Sequence, residues 1–162
     1  MNFIYRKAQL DDLESIVEFC NELRDEDVKM TFVQIDSVEV LEDWMNDPYM
    51  HLYLALAEDG EIAGMFRAKR GEGNKEHSAY IAAAVNKKFR NKNIATELTL
   101  FGLEDVKKEG VMIARTKIYS WNHASIATIK KCGFVESGRI VMHQYEEALG
   151  KYIDDVIFHK VL

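Results

Sequence analysis

The pattern of apolar and polar positions along the chain predicts strands and helices in turn. Residues 2–7 lean apolar and predict a first strand. Apolar residues at helical spacing from Leu13 to Leu23 predict a helix that begins at Asp11, and a shorter helix is predicted from about Ser37 to Asn46. Two helices therefore follow the first strand.

The rest of the chain returns to strands and adds two further helices. The apolar alternation of 50–57 predicts a strand, and Asp59-Gly60 predicts a hairpin turn to a partner strand. Gly110 and Gly133 are suited to end two later helices. The remaining strands are predicted at 78–85, 112–119, 135–146 and 152–161. The resulting order, βααβββαβαββ, predicts an α/β fold with one mixed central sheet, helices on both faces and a single domain over 1–162.

Composition and charge narrow the class of protein. Of 162 residues, 48% are hydrophobic and 30% are charged, which is typical of a globular domain with a substantial core. No apolar run is long enough to span a bilayer, and the amino terminus lacks an export signal, so we expect a cytoplasmic protein that is not bound to a membrane. A net charge of −6 disfavours nucleic acid as a partner.

The sequence lacks the residue patterns that are typical of metal sites and of several common enzyme classes. Cys20 and Cys132 lie far apart, and the five histidines show no ligand spacing, so no metal site is predicted. No phosphate-binding P-loop, serine-hydrolase elbow or zinc-protease motif occurs.

The segment from Val85 to Thr96 carries the clearest chemical signal. It joins a predicted buried strand to a predicted helix, where free backbone N–H groups and the helix dipole favour an anion. Four of the six residues from 87 to 92 are basic in a chain that is acidic overall. Asn93 tolerates the left-handed backbone that such a loop needs. The residues favour a multiply phosphorylated ligand, and a solvated basic loop remains the alternative.

Two motifs resemble those of the GNAT N-acetyltransferase superfamily. Residues 90–95, Arg-Asn-Lys-Asn-Ile-Ala, resemble its acetyl-CoA signature, Arg/Gln-x-x-Gly-x-Gly/Ala. Residues 122–134, from Asn122 to the Lys-Cys-Gly-Phe end, resemble its second motif, and Gly138 and the carboxyl-terminal segment resemble the branch of ribosomal-protein alanine acetyltransferases. The motifs occur in the order and spacing of the superfamily, and the predicted element order matches its fold.

The resemblance implies acetyl-CoA as the co-substrate and assigns residues to it. A bulge is expected to part the strand of Ala83 from the next strand, and the freed backbone groups would then line the pantetheine and thioester. The loop would wrap the pyrophosphate through main-chain N–H groups, and Asn93 departs from the glycine that is usual at its position. The implied cofactor-binding residues are Ala83, Ala84, Val85, Arg90, Asn91, Lys92, Asn93, Ile94, Ala95, Thr96, Asn122, Ser125 and Lys130, with Lys131 as the alternative to Lys130 at the ribose phosphate.

The catalytic positions of the superfamily are altered in this sequence. Many members protonate the leaving thiolate with a tyrosine whose position is Ile129 here, and some use a glutamate base whose position is Lys117 here. The substitutes that the sequence offers are Ser125, Tyr119 and Tyr145. Three further candidates, Tyr80, Glu76 and His77, lie on or just before the strand that would face the cofactor.

The resemblance implies a transferase that moves an acetyl group to an amine in a ternary complex. Acidic residues are dense between 21 and 47, which favours a cationic acceptor such as a polyamine, another small-molecule amine or a peptide amino terminus, although solvated helix faces explain the same charges. The acidic residues are Glu22, Asp25, Glu26, Asp27, Asp36, Glu39, Glu42, Asp43 and Asp47. An acyl-CoA-binding module without turnover stays open as the alternative, and the family suggests a homodimer.

Overall fold

A computed structural model describes residues 2–26 and 35–162 of the chain. The strands are β1 (Ile4–Lys7), β2 (Met50–Leu56), β3 (Ile62–Arg70), β4 (Ser78–Val85), β5 (Ile113–Tyr119), β6 (Val135–Glu146) and β7 (Lys151–Val161). The helices are α1 (Leu13–Asp25), α2 (Val38–Asn46), α3 (Ile94–Lys108) and α4 (His123–Lys131). The element order predicted from the sequence is confirmed.

All seven strands form one sheet in the order β1-β2-β3-β4-β5-β7-β6. Neighbouring strands pair antiparallel except β4 and β5, which run parallel. Helix α3 makes the crossover between these two strands, as a parallel pair requires. The predicted mixed α/β sheet with helices on both faces is therefore confirmed.

Two hydrophobic clusters hold the helices against opposite faces of the sheet. Under α3 and α4, the cluster contains Phe66, Leu98 and Phe158, each fully buried. The cluster under α1 and α2 contains Ile16, Leu41 and Met65, also fully buried. Strands β5, β7 and β6 extend past the part of the sheet that α1 and α2 cover. The face of these three strands on the α1/α2 side is therefore less covered.

The start of α1 differs from the prediction. Asp12, not Asp11, precedes the helix and follows a short 3-10 turn. Its carboxylate accepts the Gln9 N–H (2.7 Å) and pairs with Arg6 through two bonds of 2.7 Å, which lower the pKa of Asp12. Side-chain partners outside the helix decided the helix start.

The longest described helix is α3, with 15 residues. None of the helices, within 2–26 and 35–162, has the length and apolar character needed to cross a membrane.

Candidate functional site

The parallel strands β4 and β5 pair over only part of their length. Their register runs from Ser78 beside Ile113 to Tyr80 beside Arg115 and then stops. Strand β4 continues to Val85 with regular pairing to β3, while β5 keeps its full register with β7. The two strands therefore part in the middle of the sheet and leave a cleft between their carboxyl-terminal halves.

The cleft is lined on one side by backbone groups of β4 that have no partner on β5. At the end of β4, the Asn86 N–H donates to Ala63 O of β3 (3.0 Å). Alternate residues of an antiparallel strand turn their backbone groups to the same neighbour, so Ala83 and Val85 turn theirs toward the cleft. The expected bulge in β4 is wrong, because its register with β3 has no shift. Divergence of the two strands leaves these groups without a partner on β5 instead.

The loop after β4 leads directly into the start of α3. Asn91 and Asn93 adopt left-handed backbone angles, with φ of 64° and 62°. Asn93 is the N-cap of α3, and its carbonyl accepts the Glu97 N–H (3.1 Å) as the first helical bond. The N–H groups of Ile94, Ala95 and Thr96 precede that bond and point out of the helix end. This arrangement is suited to an anion.

Asn86 fixes the beginning of the loop, a role that sequence reasoning missed. Its side chain is buried, donates to the Glu22 carboxylate of α1 and accepts the Lys88 N–H (3.0 Å). The only signal in the sequence is an asparagine placed directly after a buried strand, which is typical of a local turn.

Arg90 links the loop to both the cleft and α1. Its Nε donates to the Val85 carbonyl (3.1 Å), one of the groups turned toward the cleft. Its Nη2 pairs with the Glu26 carboxylate at 2.7 Å, at the carboxyl-terminal end of α1. Arg90 therefore connects the end of β4 to the end of α1, and its predicted contact with the pyrophosphate stays a prediction.

Two other basic side chains of the loop, those of Lys88 and Lys92, point in different directions. Lys88 pairs with Glu61, which raises the pKa of this lysine. Lys92 lies over the Phe89 ring, 5.4 Å from its centre, and is exposed. Lys88 is therefore turned toward the β2–β3 hairpin, and Lys92 stays beside the start of α3.

Helix α4 brings the second motif to the other side of the cleft. The Asn122 side chain caps α4, its Oδ1 accepting the Ser125 N–H (3.2 Å), and both residues are partly buried. The Cys132 thiol at the end of α4 lies 3.8 Å from the Thr96 carbonyl of α3. That contact brings the basic last turn of α4, with Lys130 and Lys131, close to the start of α3.

The altered catalytic positions have plain structural roles. Ile129 is buried in the core under α3 and α4. Lys117 places its ammonium 3.7 Å from the Asp155 carboxylate of β7. Tyr119 ends β5, is partly buried and stacks on Trp121 with ring centres 6.1 Å apart. Of the predicted catalytic residues, Tyr119 is the last residue of β5 and Ser125 lies in the first turn of α4.

Three of the remaining catalytic candidates, Tyr145, Glu76 and His77, lie away from the parted strands, and Tyr80 lies where they begin to part. Tyr145 is on the outermost strand, β6, where it is 55% exposed and packs edge-on against Tyr152. Glu76 and His77 precede the first residue of β4, about 26 Å from Val85 at the usual rise per residue. Tyr80 is the last residue of β4 that pairs with β5, at the point where the cleft opens.

Some acidic side chains between residues 21 and 47 bind other side chains of the protein. Glu22, Glu26 and Asp47 bind Asn86, Arg90 and Lys69 respectively. Asp27 lies outside the described residues. The other predicted members are exposed: Asp25, Asp36, Glu39, Glu42 and Asp43.

Taken as a binding site, the cleft is suited to an extended ligand. Free strand groups match a chain that carries amides, and the start of α3 with Lys92, Lys130 and Lys131 matches phosphates beyond it. The residues therefore fit the two ends of a coenzyme A thioester.

Comparisons with known proteins agree with this geometry. The profile of the acetyltransferase (GNAT) family matches residues 14–134. No protein of curated function matches the sequence. Among solved structures, a GNAT-family acetyltransferase from Streptococcus pneumoniae is 20% identical, with a TM-score of 0.84 and coverage of 99% of this chain and 100% of that one.

Two further structures share the fold at similar distance. The ribosomal-protein-alanine N-acetyltransferase from Brucella melitensis is 21% identical, with a TM-score of 0.83 over 98% of this chain and 99% of that one. A chimera of the Vibrio cholerae spermidine N-acetyltransferase is 17% identical, with a TM-score of 0.77 over 99% and 96%. The family match covers well over half of the sequence, and the chain belongs to the GNAT acetyltransferase family, whose members are acyltransferases that use acetyl-CoA.

Proposed function

We propose that the protein is an N-acetyltransferase that moves an acetyl group from acetyl-CoA to a primary amine within a ternary complex. The observation that carries the proposal is the continuity of the cleft with the start of α3. A strand edge with free backbone groups runs into a helix end with free N–H groups, and together they match a thioester, its amide-bearing arm and its phosphates. The domain is proposed to span residues 1–162.

The co-substrate is assigned residue by residue. Backbone groups of Ala83 and Val85 bind the arm and thioester, and Asn122 and Ser125 hold the arm from α4. Ala84, which the sequence also assigned to the arm, turns its backbone groups to β3 and is left out of the proposed site. The pyrophosphate lies on the loop and first turn of α3, bound by Arg90, Asn91, Lys92, Asn93, Ile94, Ala95 and Thr96. Lys130 or Lys131 binds the ribose phosphate.

The chain supplies the electrostatic part of the reaction from its backbone. The acceptor nitrogen bonds to the acetyl carbon while the carbon–sulfur bond breaks, and negative charge develops on the carbonyl oxygen. A cleft-facing N–H of Ala83 or Val85 donates to that oxygen, which stabilises the transition state. A coenzyme thiolate is a good leaving group, so the absence of a tyrosine at Ile129 is compatible with turnover. Ser125 and Tyr119 are the proposed proton donors at the cleft, and Tyr145 is a weaker candidate because of its position.

The proposed acceptor is a cationic amine: a polyamine, another small-molecule amine or a peptide amino terminus. The exposed acidic side chains of α2 and the end of α1 support this class, because they attract positive charge. The cytoplasm is the proposed location and a homodimer the proposed assembly.

A calorimetric titration tests the co-substrate first. We expect saturable one-to-one binding of acetyl-CoA in the micromolar range, on the order of −8 kcal/mol, and weaker binding of dephospho-CoA, which lacks the ribose phosphate. A screen for thiol release then follows, with polyamines and peptides as acceptors. Absence of binding at millimolar acetyl-CoA would overturn the assignment. Tight binding without amine-dependent thiol release would favour a binding module.

A further inference from the structure

Strand β6 contains a bulge that projects three residues from the edge of the sheet. Ile140 pairs with Asp155 and Gln144 pairs with Ile153, so residues 141–143 lie opposite Asp154 alone. Met142 has a φ of 51°, and its N–H donates to Asp154 Oδ1 (2.9 Å). Bulges of this kind redirect side chains, and a left-handed methionine is strained. The side chain redirected by this bulge belongs to His143.

His143 faces a buried carboxylate. Its Nε2 lies 3.6 Å from Asp155 Oδ2, and Lys117 Nζ lies 3.7 Å from the same oxygen. Asp155 is 4% exposed, and its Oδ1 is buried with no hydrogen-bond partner among the described residues. A buried carboxylate with an unmatched oxygen costs stability, so its retention points to a role beyond packing.

The cluster is turned toward the cleft on the α1/α2 side of the sheet. In β4, Ala82 and Ala84 pack on the cluster under α1 and α2. Paired residues of neighbouring strands share a face, and alternate residues of a strand do so too, so Lys117 and Tyr119 lie on the face of Tyr80. Asp155 pairs with Tyr119 and joins the same face.

The level of the cluster along the sheet also matches the cleft. Tyr80 pairs with Arg115, so Tyr119, four residues on, is level with Ala84 across the parted strands. Asp155 lies beside Tyr119 on the next strand. Lys117 and Asp155 therefore lie beside the cleft, and His143 approaches it from β6 through its contact with Asp155.

We infer that His143 is the base that takes the proton of the acceptor ammonium, with Asp155 as its positioning residue; the inference rests on the proposed acetyl transfer. Asp155 faces Nε2 and favours the tautomer with its proton there, which leaves Nδ1 free to accept, by the logic of a histidine oriented by a carboxylate. Lys117, an ammonium, has no acceptor atom for this task.

The transfer balances with His143 in this role. One N–H bond of the ammonium breaks, and its proton goes to His143 Nδ1 and then to solvent. The nitrogen lone pair forms the bond to the acetyl carbon, and the carbon–sulfur electron pair leaves on sulfur. The second proton lost by nitrogen goes to that sulfur, so the products are an amide and the coenzyme thiol.

The pH profile of the reaction tests the inference. The charged groups around His143 are Asp155 and Asp154 on β7, Lys117 on β5 and Arg139 on its own strand. The assay uses an amine that the protein acetylates. We expect His143→Asn to lower kcat/KM for this amine about 100-fold near pH 7, and Asp155→Asn to lower it about tenfold. The affinity for acetyl-CoA should be unchanged in both variants. The loss of kcat/KM should shrink at high pH, where the amine loses its proton without a base.

His77→Asn, at the far end of β4, is the matched control. A wild-type profile in His143→Asn overturns the inference.

A second measurement does not depend on turnover and separates this inference from the proposed function. Nitrogen-15 NMR of the histidine rings reports which nitrogen carries the proton. We expect the neutral His143 ring to be protonated at Nε2 in the native protein and to lose that preference in Asp155→Asn. If the tautomer of His143 is the same in Asp155→Asn as in the native protein, the inference is overturned even if acetyl transfer is found. If the expected tautomer is seen but no amine releases the thiol, the proposed function is wrong and the positioning of His143 by Asp155 stands.

Discussion

Arg90 and Glu26 form an ion pair of 2.7 Å that connects the loop before α3 to the end of α1. Arg90 belongs to the proposed phosphate site, and α1 lies on the opposite face of the sheet from α3. One residue therefore contacts the binding regions proposed for both substrates. Phosphates that bind Arg90 compete with the Glu26 carboxylate for the same guanidinium.

Glu26→Gln is expected to strengthen acetyl-CoA binding about two- to fivefold, because a partly exposed ion pair is worth about 0.2–1 kcal/mol. Calorimetry at low and high salt measures the change, which should diminish with salt. Glu61→Gln is the control, since it removes the same charge from the partner of Lys88. Equal strengthening in both variants would mean a general charge effect and contradict the competition.

Reversal of the loop charges should have the opposite effect. We expect Arg90→Glu with Lys92→Glu to weaken acetyl-CoA binding at least tenfold, on the order of 1.4 kcal/mol, because two cations near the phosphates become anions. The control is Lys107→Glu with Lys108→Glu at the other end of α3, with the same change in net charge. A folded double variant with unchanged affinity would show that these two charges do not contact the ligand.

The packing of α3 on the sheet is expected to limit what replaces Gly102. A Cβ at this position would lie 2.5 Å from two ring atoms of Phe66, which is fully buried. Gly102→Ala should therefore lower the free energy of unfolding by about 1–3 kcal/mol, as overpacked cores do. Gly138→Ala, where a Cβ meets nothing within 4 Å, is the control for chemical denaturation. Equal stability of the two variants would contradict the tight packing.

The order of elements and the location of the loop were predictable because they depend on local patterns. The strand Ser78–Val85 and the helix stop before Gly110 follow from periodicity and turn residues near in sequence. The left-handed backbone at Asn93 was likewise predicted from its residue type and confirmed.

The features that could not be predicted from the sequence depend on contacts between residues distant in the chain. The parting of β4 and β5 begins at Tyr80 and Arg115, 35 positions apart, and has no signature in either strand. The start of α1 was misplaced because Asp12 is held by Arg6 of β1. The cluster of Lys117, His143 and Asp155 requires three strands and a bulge to assemble. Pairing of this kind is fixed by the whole sheet.

Asn93 tests whether its departure from glycine matters. Its φ of 62° suits glycine or asparagine, so Asn93→Gly should keep the fold and bind acetyl-CoA at least as well as the native protein. Asn93→Val should lose about 1–2 kcal/mol of stability and bind more weakly, because a branched side chain opposes the left-handed backbone. Thermal unfolding and calorimetry measure both effects. Native stability and affinity in the valine variant would contradict the conformational role.

Asn122 combines a structural and a proposed binding role, and two substitutions separate them. Asn122→Ala removes the cap that accepts the Ser125 N–H and should cost about 1 kcal/mol of stability along with acetyl-CoA affinity. Asn122→Ser keeps a capping oxygen but lacks the amide donors, so its stability should stay within about 0.5 kcal/mol of the native value while affinity still falls. Denaturant unfolding and calorimetry on the same samples make the comparison. If the serine variant binds acetyl-CoA as the native protein does, Asn122 only caps α4, and the arm of the co-substrate is held by other groups of the cleft.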